Sequence, residues 1–193
     1  MRRILSLTIL VMMVALTVSA QTFEVNPSSS VLKWTGKKVT GEHHGKIKLK
    51  SGSFEMNNNK IVNGQFVIDM TSISNEDLQG EWHDKLVGHL KSDDFFSVEK
   101  YPEATLTVTG STKFKNGQAK INGNLTIKGI TQPIEFEVVQ NKGKFAAVIT
   151  VDRTLYNVRY GSGKFFDNLG DKTIYDNFTL EVELVTEDET AMK

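Results

Sequence analysis

The chain has 193 residues, is 39% hydrophobic and 24% charged, carries no formal net charge at pH 7 and contains no cysteine. That length suffices for one domain with a sizeable core, and the missing cysteine excludes disulfides, thiolate metal sites and a lipid-modified cysteine. Lys and Glu are interspersed rather than clustered, so the chain has no electrostatic footprint for phosphate backbones, and nucleic acid is not an expected partner.

Arg2 and Arg3 precede a mostly apolar run, Ile4 to Val18, that ends in the small-residue pattern Val18-Ser19-Ala20. This is the layout of a secretory signal peptide, so residues 1–20 are read as a cleaved leader, 21–187 as the folded domain and 188–193 as a polar, flexible tail. The apolar run is shorter than the roughly 20 residues a spanning helix needs, and nothing comparable recurs, so no transmembrane segment is expected in the mature chain. An exported chain without cysteine suits a bacterial periplasm.

After a short extended start, Thr22 to Val25, and the turn-forming Asn26-Pro27-Ser28, the run Val31 to Thr35 places Leu32 and Trp34 on one face and Lys33 and Thr35 on the other. A side-chain period of two is the signature of a half-buried strand. Ile47 and Leu49 alternate with Lys46, Lys48 and Lys50, Gly52 permits a bend or bulge, and Phe54 and Met56 resume the pattern. Asn57-Asn58-Asn59 then turns the chain into Ile61 to Met70, where Phe66, Ile68 and Met70 share a face.

Between Ser74 and Leu90 the period changes, with Leu78, Trp82, Leu86 and Leu90 recurring every four residues. This predicts the one helix, short, with Ser74 or Asn75 as its cap and with Gly80 and Gly88 each costing about 1 kcal/mol relative to alanine. Further strands follow at Ala104 to Gly110, Ala119 to Ile127, Ile134 to Val139, Phe145 to Val151 and Phe178 to Val185. Arg153 to Lys172, rich in Tyr, Gly and Asn, carries no clear period.

About eight strands with short turns and one helix make either a sandwich or a closed antiparallel barrel; closure removes the exposed edges. An eight-stranded barrel is wide enough for one small ligand. The inward positions are apolar: Leu32, Trp34, Phe54, Phe66, Ile68, Leu106 and Val108 in the first half, then Ile121, Leu125, Ile127, Phe136, Ile149 and Leu180. A guest among them would be greasy and long rather than ionic.

Gly88-His89-Leu90 and Phe95-Phe96 are followed by Tyr101-Pro102-Glu103-Ala104 and by Gly123-Asn124-Leu125-Thr126-Ile127-Lys128-Gly129-Ile130-Thr131-Gln132-Pro133. In these motifs, in order and at this spacing, the chain resembles the YceI-like family across nearly all of Val31 to Val185. The resemblance implies an all-β fold, an eight-stranded antiparallel lipocalin-like barrel with one short helical insertion, usually periplasmic. It also implies a binder of polyisoprenoid or related long-chain amphiphilic lipids, with no catalytic residue and no cofactor.

A polyprenyl guest ends in a phosphate or hydroxyl, so a polar mouth is expected, and His89, Lys91, Arg153, Tyr156, Arg159 and Tyr160 are its candidates. Arg suits bidentate phosphate contact. The bland roles are a packed helix-end His89, an Asp152–Arg153 pair and a solvated Arg159. The competing readings are a metal-dependent enzyme using His43, His44, His83 or His89, and a partner-binding module with a filled barrel. Neither the adjacent pair His43-His44 nor His83 and His89, six apart, has ligand spacing. Gly161-Ser162-Gly163-Lys164 lacks the first glycine and the hydroxyl residue of a phosphate loop, and Ser162 lacks the nucleophile elbow. Whether two barrels pair as a homodimer stays open.

Overall fold

The computed structural model describes residues 20–187. The expected leader, residues 1–20, lies outside the described residues except for Ala20, and the expected tail, 188–193, lies outside them entirely.

Among the described residues there are nine strands and one α-helix: β1 (Gln21–Glu24), β2 (Val31–Lys38), β3 (Gly41–Asn57), β4 (Lys60–Asp69), α1 (Gly80–Lys91), β5 (Glu103–Ser111), β6 (Gln118–Ile127), β7 (Ile130–Asn141), β8 (Lys144–Asp152) and β9 (Ile174–Val185). Strands β2 to β9 close an eight-membered antiparallel ring, because β3 pairs with β2 on one side and β4 on the other while β9 joins β2 to β8. Strand β1 continues the line of β2. It pairs with the far end of β3, Gln21 opposite Met56, and Val25 bridges Thr186. The break between β1 and β2 is an Asx turn in which Asn26 Oδ1 accepts from the backbone N–H groups of Ser28 and Ser29. Of the two architectures left open by the strand pattern, the barrel is the one formed.

The long β3 turns the barrel corner at the expected place. Register slips between Leu49 and Ser51, and Gly52 lies so close to Phe66 that a Cβ there would meet its ring at 2.6 Å. A glycine is therefore required for the ring to lie across the strand.

The helix differs from the sequence expectation at its start. Ser74 and Asn75 cap nothing; residues 74–79 instead cross β3 as an extended strap. Ser74 N–H donates to the Lys46 carbonyl, Glu76 N–H to the His44 carbonyl, and Asn75 uses its side chain on the His44 carbonyl and the Leu78 N–H. These bonds offer the backbone an alternative to helix, the known liability of Asn in a helical register. A Cβ on Gly45 would sit 1.9 Å from the Ser74 carbonyl oxygen, so the strap depends on a bare backbone beneath it. Helix α1 then begins at Gly80, whose φ of +56° admits the chain from the strap, and Gln79 precedes it without a side-chain cap bond. Leu90 is buried and Leu86 packs on the core, whereas Trp82 is 69% exposed. The apolar stripe thus reaches the core only through its C-terminal half.

Candidate binding cavity

The alternating strands turn one apolar face toward the barrel axis, and the side chains do not fill it. A cavity remains in two lobes. Leu32, Phe54, Phe66, Ile68, Leu106, Val108, Ile121, Leu125, Phe136, Ile149 and Leu180, all expected inward, line the lower lobe. Trp34 and Ile127 line the upper lobe beneath α1, and Ile68, Leu125, Val151 and Leu180 border both lobes, which therefore lie next to one another. The lobes hold about 100 Å³ and about 120 Å³. Both are small, below the roughly 300 Å³ at which ordinary ligand pockets begin.

The lower end is stoppered by rings. Phe23 stacks on Phe54 at 5.2 Å, Phe54 meets Phe145 edge-on at 4.9 Å, and Phe114 meets Phe145 at 6.2 Å. All four are buried. The upper end is covered by the segment running from Met70 through α1 to Val98, which buries Met70, Ile73, Leu90, Phe95 and Phe96. Trp34 Nε1 donates to the Ser74 carbonyl at 2.9 Å, tying the barrel wall to this cover.

One charged side chain lines the upper lobe. Arg153 is 2% exposed, and its Nε, NH1 and NH2 donate to the carbonyls of Tyr175, Val158 and Ile174 at 3.1, 2.8 and 3.0 Å. Its position follows from a 3-10 turn at Arg153–Tyr156, capped by Asp152, whose carboxylate accepts from the Thr154 N–H. The guanidinium lies over the Phe95 ring at 5.6 Å, and Asp176 Oδ1, with no hydrogen bond of its own, is 3.7 Å from NH2. Burial lowers the Arg153 pKa while Asp176 and Asp152 raise it. Lys164 bridges Asp152 at 2.7 Å and Asp176 at 3.5 Å, so two cations and two anions compensate one another around the lobe.

The other polar candidates are divided. His89 is wedged between Phe95 and Tyr160, with ring centroids 5.5 and 4.4 Å away, and its buried Nε2 has no hydrogen-bond partner. Burial lowers its pKa, opposed by Asp94. Tyr156 is buried, and burial raises its hydroxyl pKa. Tyr160 is exposed, and Arg159 lies over the exposed Phe165 ring at 4.8 Å. Of the six expected mouth residues, Arg153 alone lines either lobe; His89, Lys91, Tyr156, Arg159 and Tyr160 do not.

The four histidines do not come together. His43 and His44 both face Asp77, with Nδ1 atoms 2.7 and 3.9 Å from its carboxylate, whereas His83 contacts Asp84 and His89 lies among aromatic rings. Among the described residues no group of three or more His, Cys, Asp or Glu side chains could hold a metal ion. No helix among them is long and apolar enough to cross a membrane. Sequence reasoning missed Phe145, Phe95 and Phe96 as cavity residues; alternation with Ile149 and Val151 signalled the first, while the Phe pair lies outside any periodic run.

An antiparallel eight-stranded ring around an apolar cavity defines a lipocalin-type barrel. The chain belongs to the YceI-like family, whose domain matches residues 23–186. It is similar to a UPF0312 protein of Vibrio campbellii, 33% identical over 95 residues, which is 48% of this chain and 47% of the relative. The chain thus spans about half the length of the curated relatives it matches. Among solved structures it is similar in fold to Burkholderia cenocepacia BcnA, with a TM-score of 0.66 and 23% identity over 83% of this chain and 98% of that one. It is also similar to a polyisoprenoid binding domain from Saccharophagus degradans implicated in plant cell wall breakdown, with a TM-score of 0.56 and 16% identity over 86% of this chain and 97% of that one.

Proposed function

We propose that this protein is a non-catalytic, exported carrier of polyisoprenoid or similar long-chain amphiphilic lipids, holding the hydrocarbon tail along the two lobes with Arg153 nearest the polar end. The observation that carries this reading is a pair of adjacent apolar lobes inside the barrel, bordered by one buried cation. Their small volume suits a single hydrocarbon chain. Each five-carbon unit taken from water contributes about 4 kcal/mol gross at ~0.8 kcal/mol per methylene-sized group, before ordering costs. The polyisoprenoid-binding neighbour supports the class of guest.

Native mass spectrometry of the protein recovered from its own host tests the idea. A bound lipid mass is expected, displaceable by polyprenyl phosphate; absence of any adduct, with no competition among polyprenyl phosphates, quinones and fatty amides, defeats it. Phe66→Asp or Phe136→Asp places a carboxylate in the apolar bore and should abolish binding. The same small volume also favours a second reading, a partner-binding module that takes no guest, and a lipid-free protein from the native host would select it. Export is proposed from the leader-like first twenty residues; N-terminal sequencing of the secreted form should begin at Gln21.

A further inference from the structure

Seven of the eight joints around the ring are long, and one is not. Strand β6 pairs with β7 over its whole length, Gln118 opposite Val139 through Ile127 opposite Ile130, and β8 pairs with β9 from Lys144 to Asp152. Between β7 and β8 the pairing covers only Val138–Asn141 against Lys144–Ala147, next to the hairpin turn. Beyond it, Ile130–Glu137 on one edge and Val148–Asp152 on the other have no cross-strand partner in this joint. Two open strand edges facing one another are a costly arrangement that proteins normally cover.

The slit borders the cavity: Ile134 and Phe136 on β7 and Ala147 and Ile149 on β8 line the lower lobe, and the first three are only partly buried. On its outer side Val148 is 65% exposed and Leu155 is 51% exposed, while Thr131, Pro133, Glu135 and Glu137 face outward from β7. Pro133 lies on β7 in this stretch, a residue suited to an edge because it has no N–H to offer a neighbour. Both barrel ends, by contrast, are closed by buried aromatic and aliphatic side chains.

We propose that the unpaired stretch between β7 and β8 is the entrance to the cavity, admitting the tail of an amphiphile sideways while the headgroup stays outside. This rests on the carrier reading above and adds to it a class of guest: an amphiphile whose headgroup is wider than the bore. A tail that slides in broadside never requires the headgroup to pass a stoppered end. Val148 and Leu155 give the tail an apolar surface beside the slit, and the facing backbone edges are polar rails at the level where a headgroup linkage would rest.

The test uses the absence of native cysteine. Extending the register pairs Glu135 with Thr150, both exposed, so the double substitution Glu135→Cys and Thr150→Cys allows the slit to be stapled with a short bismaleimide. Thr107→Cys with Asn124→Cys, an exposed and directly paired couple in the β5–β6 joint, is the control staple. The probe is a farnesyl chain carrying a dansyl headgroup, its loading followed by energy transfer from tryptophan, with circular dichroism confirming that each stapled protein is folded. Stapling the slit should slow loading at least tenfold while the control staple leaves the rate unchanged. Equal loading by both stapled proteins and the unmodified chain overturns the entrance and leaves the carrier reading standing. Failure of the unmodified chain to take up the probe or polyprenyl phosphate overturns both.

Discussion

At Asp77 a single carboxylate fastens the strap to the barrel. Burial raises its pKa, but bonds from His43, the His44 N–H and Asn75 outweigh burial and hold it at about 2, below its ordinary 3.8. A depressed carboxylate stabilises the fold fully above its unfolded value and loses that contribution as pH falls through the folded one. The stability owed to Asp77 should therefore be complete above about pH 4 and disappear toward about pH 2. Asp77→Asn should cost about 1–2 kcal/mol at pH 7 and flatten the dependence across that window, read from urea midpoints measured at steps of pH. Arg153 is a different kind of residue, because its buried fork holds three carbonyls, that of Val158 in a fully buried bond. Arg153→Leu leaves them without donors and should destabilise the fold by roughly 2–4 kcal/mol, again from urea unfolding.

Among the elements, the strands were the most legible. Alternation such as Ala119 to Ile127 reports a face directly, since neighbouring side chains in a strand point oppositely, and every expected strand is present, several of them a few residues longer. Strand β7 begins at Ile130 rather than Ile134 because cross-strand bonds to β6 extend it through Pro133, which offers no donor and reads locally as a break. The helix was half legible. Its four-residue period is real from Gly80 onward, but the period cannot show that Asn75 spends its hydrogen bonds on β3, thirty-one positions away in sequence. The strap is accordingly sensitive to Gly45. Gly45→Ala should force the Ser74 carbonyl outward and cost about 1–3 kcal/mol, and hydrogen exchange at the Ser74 and Glu76 amides should accelerate well before that of the strand amides.

As a whole molecule the barrel encloses a space that its own core does not occupy, and that has a thermodynamic consequence. A guest that binds the folded chain and not the unfolded one stabilises it by about 2.7 kcal/mol at a hundredfold excess over Kd. For a domain of this size that corresponds to a rise in Tm of roughly 5–10 °C, measurable by calorimetry with polyprenyl phosphate and absent with the phosphate headgroup alone. Phe136→Asp should remove the rise.

The amino-acid sequence by itself determined the all-β class, the positions of the strands, the inward apolar face and the family, since each is written in local periodicity or in short motifs. Only the tertiary structure decided that the strands close rather than stack, that Arg153 alone of the polar candidates borders the cavity, and that one joint of the ring stays unzipped. The physical reason is range: which face a side chain takes depends on its neighbours two residues away. Whether β7 meets β8 depends instead on bonds and curvature accumulated around the whole ring, and no stretch of local pattern records that sum.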